Sequence, residues 1–199
     1  MPYSSAKVQG SNASIDTSAL AKKVAIVTGG ANGLGKALHV CVGDLNVADG
    51  EKLASELPGV KFVRCDVTNW GDQVNLFKTA ASMSPSGSVH HVIANAGIAR
   101  KSNVQFPLHH RPRLPTSPPN LKTIEINLHG TLYTTKLALH SFMRQNGTDG
   151  PKESQEDTSL TLIGSGAAFL DCPRGPQYEA TKWGARGIMH TLRRTVLPW

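Results

Sequence analysis

The chain of 199 residues is long enough to bury one ordinary core and too short to predict two full domains. Hydrophobic residues at 39% and charged residues at 18% are ordinary globular usage, which excludes a wholly disordered chain, and no apolar run approaches the roughly 20 residues of a membrane-spanning helix. A formal charge of +7 admits an anionic partner, but the basic stretch from Arg100 to Arg113 is broken by Pro107 and Pro112 and offers only Phe106 for stacking. It reads as a solvated loop, not as a nucleic-acid surface.

Residues 1–21 are rich in Ser and Ala and lack the apolar stretch of a secretory signal, so they are expected to form a flexible leader ahead of one domain over residues 22–199. Lys23 to Thr28 (KVAIVT) is a Val- and Ile-rich run ending in Gly29 and Gly30, the pattern of a buried parallel strand entering a turn. Similar runs recur at Lys61–Cys65, Val89–Ala94 and Ser159–Ile163. Helical spacing separates them at Trp70–Met83 and Leu121–Met143, where Leu121, Ile124, Leu128 and Leu132 fall on one face. This alternation predicts an α/β fold, a doubly wound parallel sheet covered on both sides. Arg100–Pro119 and Gln145–Thr158 read as surface loops. Cys41, Cys65 and Cys172 form no C-x-x-C pair and are expected as reduced thiols in a cytoplasmic protein. His90 and His91 alternate along a strand and His109 and His110 sit in the proline-rich loop, so no metal is assigned.

Thr28-Gly29-Gly30-Ala31-Asn32-Gly33-Leu34-Gly35 has the form T-G-x-x-x-G-x-G directly after the first strand. Glycines there let the backbone approach a pyrophosphate, whose charge meets free N–H groups at the next helix start; a turn without ligand is the plainer alternative. Asp44, after Val40-Cys41-Val42, suits the two hydroxyls of an adenosine ribose and would repel a 2′-phosphate, favouring NAD over NADP, although an aspartate in a turn needs no ligand. Asp66 is placed to hold an adenine amino group, and Asn95-Ala96-Gly97 ends a strand run where such ends face a ligand crevice. Tyr178 and Lys182 stand four apart, so on a helix they share a face, and an ammonium there favours the phenolate for proton exchange with a substrate. The same pair also arises by chance in many helices. Ser165 ends the last strand run and suits donation to a substrate oxygen gaining negative charge. Asn127 lies mid-helix, which invites either a functional or a packing hydrogen bond.

Taken together these motifs resemble the short-chain dehydrogenase/reductase family, in its NAD-using branch, over roughly Lys22 to Leu197. The matching residues are Thr28 to Gly35, Asp44, Asp66-Val67, Asn95-Ala96-Gly97, Asn127, Ser165, and Y-x-x-x-K at Tyr178 and Lys182, with Ser165 thirteen before Tyr178. The resemblance implies a Rossmann-type fold and an NAD-dependent oxidoreductase that interconverts a secondary alcohol and a ketone. It further implies that Tyr178 is the general acid/base, that Lys182 assists it and binds the nicotinamide ribose, that Ser165 orients the substrate oxygen, and that Asn127 completes a proton relay. A small alcohol or ketone is the implied partner, with assembly into homo-oligomers. Leu121–Leu139 is similar to fungal members akin to 15-hydroxyprostaglandin dehydrogenase and to the hydroxyaverantin dehydrogenases of polyketide pathways.

The family pattern is departed from twice. Asp44 follows Gly35 by only nine positions, about a dozen residues fewer than the family's crossover, so either the second strand is distorted or Asp44 fails to reach the ribose. The chain also stops at Leu197-Pro198-Trp199, before the family's last two strands and substrate lid, which predicts an incomplete sheet with Ser159–Ile163 on its edge. An inactive remnant that binds a nucleotide weakly, or acts through a partner, is the competing expectation.

Overall fold

Five parallel strands pair in the order β3-β2-β1-β4-β5 in a computed structural model, which describes residues 20, 22–31, 39–99, 118–147 and 155–195. β1 (Val24–Thr28) is buried at every position and lies at the sheet's centre, as an unbroken apolar run requires. It pairs with β2 (His39–Asp44) from Val24↔His39 to Thr28↔Gly43, and β2 pairs in turn with β3 (Val60–Arg64). On the other side β1 pairs with β4 (His91–Ala94), and β4 with β5 (Ser159–Leu162), which forms one edge. The strand order reverses between β1 and β4, the place where doubly wound sheets open a crevice at their carboxyl ends.

The second strand is regular, which removes the expectation that a short crossover distorts it. Five strand residues must be retraced to reach its start, about 16 Å. Ten residues lie from Gly29 to Leu38, and a chain of that length can reach about 33 Å, enough to cover this distance. Residues 32–38 of this connection lie outside the described residues.

Alternation along the strands builds two cores. Val24, Ile26, Cys41 and Val92 pack with Leu76, Phe77 and Ala80 of α2 (Trp70–Ala81) and with Ala138. Ala25, Val27, Val40 and Val42 face the opposite layer, where Leu53 of α1 (Val47–Glu56) and Phe62 cover them. α1 is polar for its length and starts because Asn46 caps it, its Oδ1 accepting from Asp49 N at 3.2 Å. Asn69 caps α2 in the same way, accepting from Asp72 N at 3.0 Å.

The long helical stretch after β4 differs from its sequence reading. It comprises α3 (Lys122–Ile124), a π-helical segment (Glu125–Gly130) and α4 (Thr131–Asn146). Its buried face is Thr123, Asn127, Thr131, Thr134, Thr135 and Ala138, whereas Leu121 and Leu132 are exposed, so the expected Leu121-Ile124-Leu128-Leu132 stripe does not form the core. Small side chains win because the helix lies tight against β3's exit: a Cβ on Gly130 would sit 2.8 Å from Val67 Cγ2. Two of the hydroxyls are satisfied within the helix, Thr131 donating to Asn127 O at 2.8 Å and Thr134 to Gly130 O at 3.0 Å, whereas the buried Thr135 hydroxyl has no partner among the described residues. Leu128 turns toward the last helix, α5 (Pro176–Thr195), against Gly184.

At the amino-terminal end of the sheet, side chains clamp the return from α4 to β5. Gln145 pairs with both Val89 N and Val89 O, and Asn146 with both Glu156 N and Glu156 O. The Glu156 carboxylate takes Lys23 Nζ at 2.7 Å and His90 Nε2 at 3.1 Å. His90 Nδ1 accepts from Val24 N at 2.9 Å, so the proton of the neutral ring resides on Nε2 and points at Glu156. Burial and the neighbouring Lys23 ammonium hold the His90 pKa below its ordinary value, outweighing the Glu156 carboxylate.

Candidate active site

Thr28, Gly29, Asp44, Asp66, Asn95 and Ser165, all singled out from sequence, lie at or just past the carboxyl ends of the five strands. At the end of β1, the buried Thr28 hydroxyl accepts from Asn95 N at 3.1 Å and Ala96 N at 3.2 Å. Asn95 Nδ2 returns the tie, donating to Thr28 O at 3.0 Å and Gly29 O at 2.8 Å. Asn95 therefore acts first as a brace between the exits of β1 and β4. Gly29 turns with φ +65 beneath Ala96, whose Cα would lie 2.7 Å from a Cβ placed on it. Both the turn and the approach require glycine. Asn32, Gly33, Leu34 and Gly35, the rest of the loop, lie outside the described residues.

Asp44 stands at the end of β2 over this turn. Its Oδ2 accepts from Ala31 N at 3.1 Å and its Oδ1 from Asn46 N at 2.9 Å. Each oxygen keeps a second lone pair for a ligand hydroxyl. Asp66, past the end of β3, accepts at Oδ1 from the Thr68 hydroxyl at 2.7 Å and Thr68 N at 2.9 Å. Burial pushes its carboxyl upward, but the Thr68 bonds and the charges of Lys122 and Arg64 outweigh that and hold it below the usual range. Val67 is buried under Gly130, and its carbonyl takes the Gln73 amide at 2.6 Å.

The π-helical turn aims Asn127 at the loop after Gly97. Its Oδ1 accepts from Ile98 N and its Nδ2 donates to Ile98 O, both at 2.8 Å. Such widened turns recur at functional sites because they redirect a side chain out of the regular helical register. On α5, Lys182 is buried, donates from Nζ to Ile163 O at 2.8 Å, and holds Nζ 5.6 Å from the centre of the Tyr178 ring. That carbonyl lies two residues before Ser165, so the lysine ties Y-x-x-x-K to the exit of β5. Ser165 Oγ accepts from Ala167 N at 3.2 Å and caps a 3-10 turn over Gly166–Ala168. Accepting there leaves its own hydrogen to donate. The Tyr178 hydroxyl makes no hydrogen bond with Ser165 or Asn127 among the described residues.

Thr181 was not legible as part of this constellation. Fully buried, it donates to Tyr178 O at 2.7 Å and stands 3.4 Å from Asn127 Nδ2, linking α5 to the π-helical turn. Its only sequence signal is a hydroxyl beside Lys182 in a motif read for its tyrosine and lysine. Among the described residues no group of three or more His, Cys, Asp or Glu could hold a metal ion, and no helix is long and apolar enough to cross a membrane.

Residues 23–199 match the family model described as short chain dehydrogenase. The chain belongs to this family. Among curated short chain dehydrogenases it is 33% identical to 5′-hydroxyaverantin dehydrogenase of Dothistroma septosporum, over 93% of this chain and 66% of that protein. It is 32% identical to the 5′-hydroxyaverantin dehydrogenase of Emericella nidulans, over 89% of this chain and 63% of the relative. An NADP-dependent dehydrogenase of Cochliobolus lunatus is also 32% identical, covering 90% of this chain and 67% of its own. The chain thus spans about two thirds of the length of these relatives. A 3-ketoacyl-(acyl-carrier-protein) reductase from Brucella melitensis, solved with NADH, shares the fold with a TM-score of 0.73 at 23% identity, over 90% of this chain and 72% of the other. The fungal hydroxyaverantin resemblance and the Rossmann-type sheet of the sequence reading are borne out.

Proposed function

We propose that this short chain dehydrogenase is an NAD(H)-dependent oxidoreductase that interconverts a secondary alcohol and a ketone. The observation that carries this reading is the lysine tie: Lys182 is anchored on Ile163 O with its ammonium against the Tyr178 ring, beside Ser165. The residues present fit a dinucleotide, since only glycine suits the Gly29 turn and the Asp44 carboxylate stands over that turn with lone pairs to spare. Thr28, Gly29, Asn32, Gly33, Leu34 and Gly35 would hold the pyrophosphate, Asp44 the adenosine ribose, Asp66 and Val67 the adenine, and Asn95, Ala96, Gly97, Tyr178 and Lys182 the nicotinamide end. When bound, the nicotinamide supplies or accepts the hydride.

The protein's own part is proton handling and orientation. Ser165 donates its free hydrogen to the substrate oxygen, favouring the negative charge that builds there. Tyr178 exchanges the proton of the hydroxyl, and Lys182 keeps a positive charge beside the ring while that proton is absent. Asn127 holds the Ile98 backbone and, through Thr181, α5. Asp44 would repel a 2′-phosphate, which favours NAD over the NADP used by the Cochliobolus relative. Exposed Phe169, Leu170 and Trp183 mark the face through which α5 would meet a second copy.

Titration of NADH and NADPH against the purified chain, followed by nicotinamide fluorescence, is expected to show tighter NADH binding; an equal or stronger NADPH response overturns the cofactor assignment. Tyr178→Phe is expected to abolish turnover of a secondary-alcohol panel while NADH binding persists. Unchanged turnover would remove Tyr178 from the chemistry, and NADH binding without turnover in the wild type would select the inactive-remnant reading.

A further inference from the structure

A trough of about 900 Å³ runs between α2 and α4 and uses none of the strand-end residues. Val74, Phe77 and Leu137 contribute its apolar floor, and Lys78, Lys136 and Arg144 line it as cations. Among the described residues no aspartate or glutamate lines it. Elsewhere Lys52 pairs with Glu56, Arg64 with Asp72 and Lys122 with Glu125. Lys78, Lys136 and Arg144 have no ion pair among the described residues. An apolar floor bordered by unneutralised positive charge is complementary to a molecule with an apolar body and an anionic head, and the volume is that of a small-ligand site. A second copy seated trough against trough is a poor occupant, since two such cationic rims would face each other.

We propose that this trough binds an amphiphilic anion, an apolar chain or ring system ending in a carboxylate or comparable acidic group. Its test is calorimetric titration of the full chain with dodecanoate below its micellar concentration, alongside dodecan-1-ol and dodecyltrimethylammonium. Dodecanoate is expected to bind saturably with one site per chain, and the neutral and cationic analogues at least tenfold more weakly. The exposed double variant Lys78→Glu/Lys136→Glu, checked for an unchanged circular dichroism spectrum, is expected to lose at least tenfold in dodecanoate affinity. Saturating NADH is expected to leave dodecanoate binding unchanged. Equal binding of the alcohol, undiminished binding by the double variant, or displacement by NADH would each overturn the assignment. So would concentration-dependent self-association in sedimentation that the double variant abolishes, because a second copy would then fill the trough.

Discussion

Replacing Gly29 by alanine tests the join between β1 and the Asn95-Ala96 exit of β4. Two costs add at this position. A side chain at φ +65 pays about 1–2 kcal/mol for the left-handed conformation. The new Cβ would also lie 2.7 Å from Ala96 Cα, and forcing backbone apart costs about 1–3 kcal/mol more. Gly87 separates the two, because it has φ +71 and an added methyl group there would meet nothing within 4 Å. Gly87→Ala therefore carries only the conformational cost, and the gain from a stiffer unfolded chain is common to both variants. Urea denaturation followed by circular dichroism should place Gly29→Ala about 1–3 kcal/mol below Gly87→Ala. If the two variants are equally stable, the close approach of β1's exit to Ala96 is refuted, and with it half of the requirement for glycine at this turn.

Other outcomes follow from single contacts. Asn127→Ala leaves Ile98 N–H and C=O without their partner and should cost about 1–3 kcal/mol in the same assay. Because the His90 pKa is depressed in the folded chain, the unfolded chain takes up that proton first; stability is full above the ordinary value of 6.5 and falls as pH drops below it. His90→Gln should flatten this slope between about pH 7 and 5, and an unaltered slope would show that His90 is not its source. Burial pushes the Cys41 and Cys65 thiols to about 12, so Ellman's reagent should leave both unmodified until the chain is unfolded, whereas half-exposed Cys172 reacts in the native state.

β1 was legible because a central parallel strand is buried on both faces and writes an unbroken apolar run, and β5 because its leucines alternate with polar residues exposed on the other face; both match their expected runs to within one residue. β4 is shorter than its run because His90 uses its ring, not its place in the run alone, to meet Val24. α1 stood out less, since its glycine and charged residues write no clear apolar stripe and its start rests on the Asn46 cap. The regularity of β2 could not be read, because the expectation of a helical crossover hides the fact that ten residues are enough to reach the start of the next strand. The helix carrying Asn127 misled most: periodicity assigns burial to leucines, but close approach to Val67 selects glycine and threonine. The strand-end residues were legible as types and spacings, and the bonds that hold them, such as Asn95 to Gly29 O and Lys182 to Ile163 O, were not.

The widened turn at Glu125–Gly130 fits one residue more than an ordinary helical turn into the same rotation. Deleting a single residue inside it would let the helix close into ordinary turns while the stretches on either side keep their phase. Thr134 and Ala138 would stay on the sheet, and Asn127 would lose its aim at Ile98. One deletion can therefore separate the direction of a side chain from the seating of its helix.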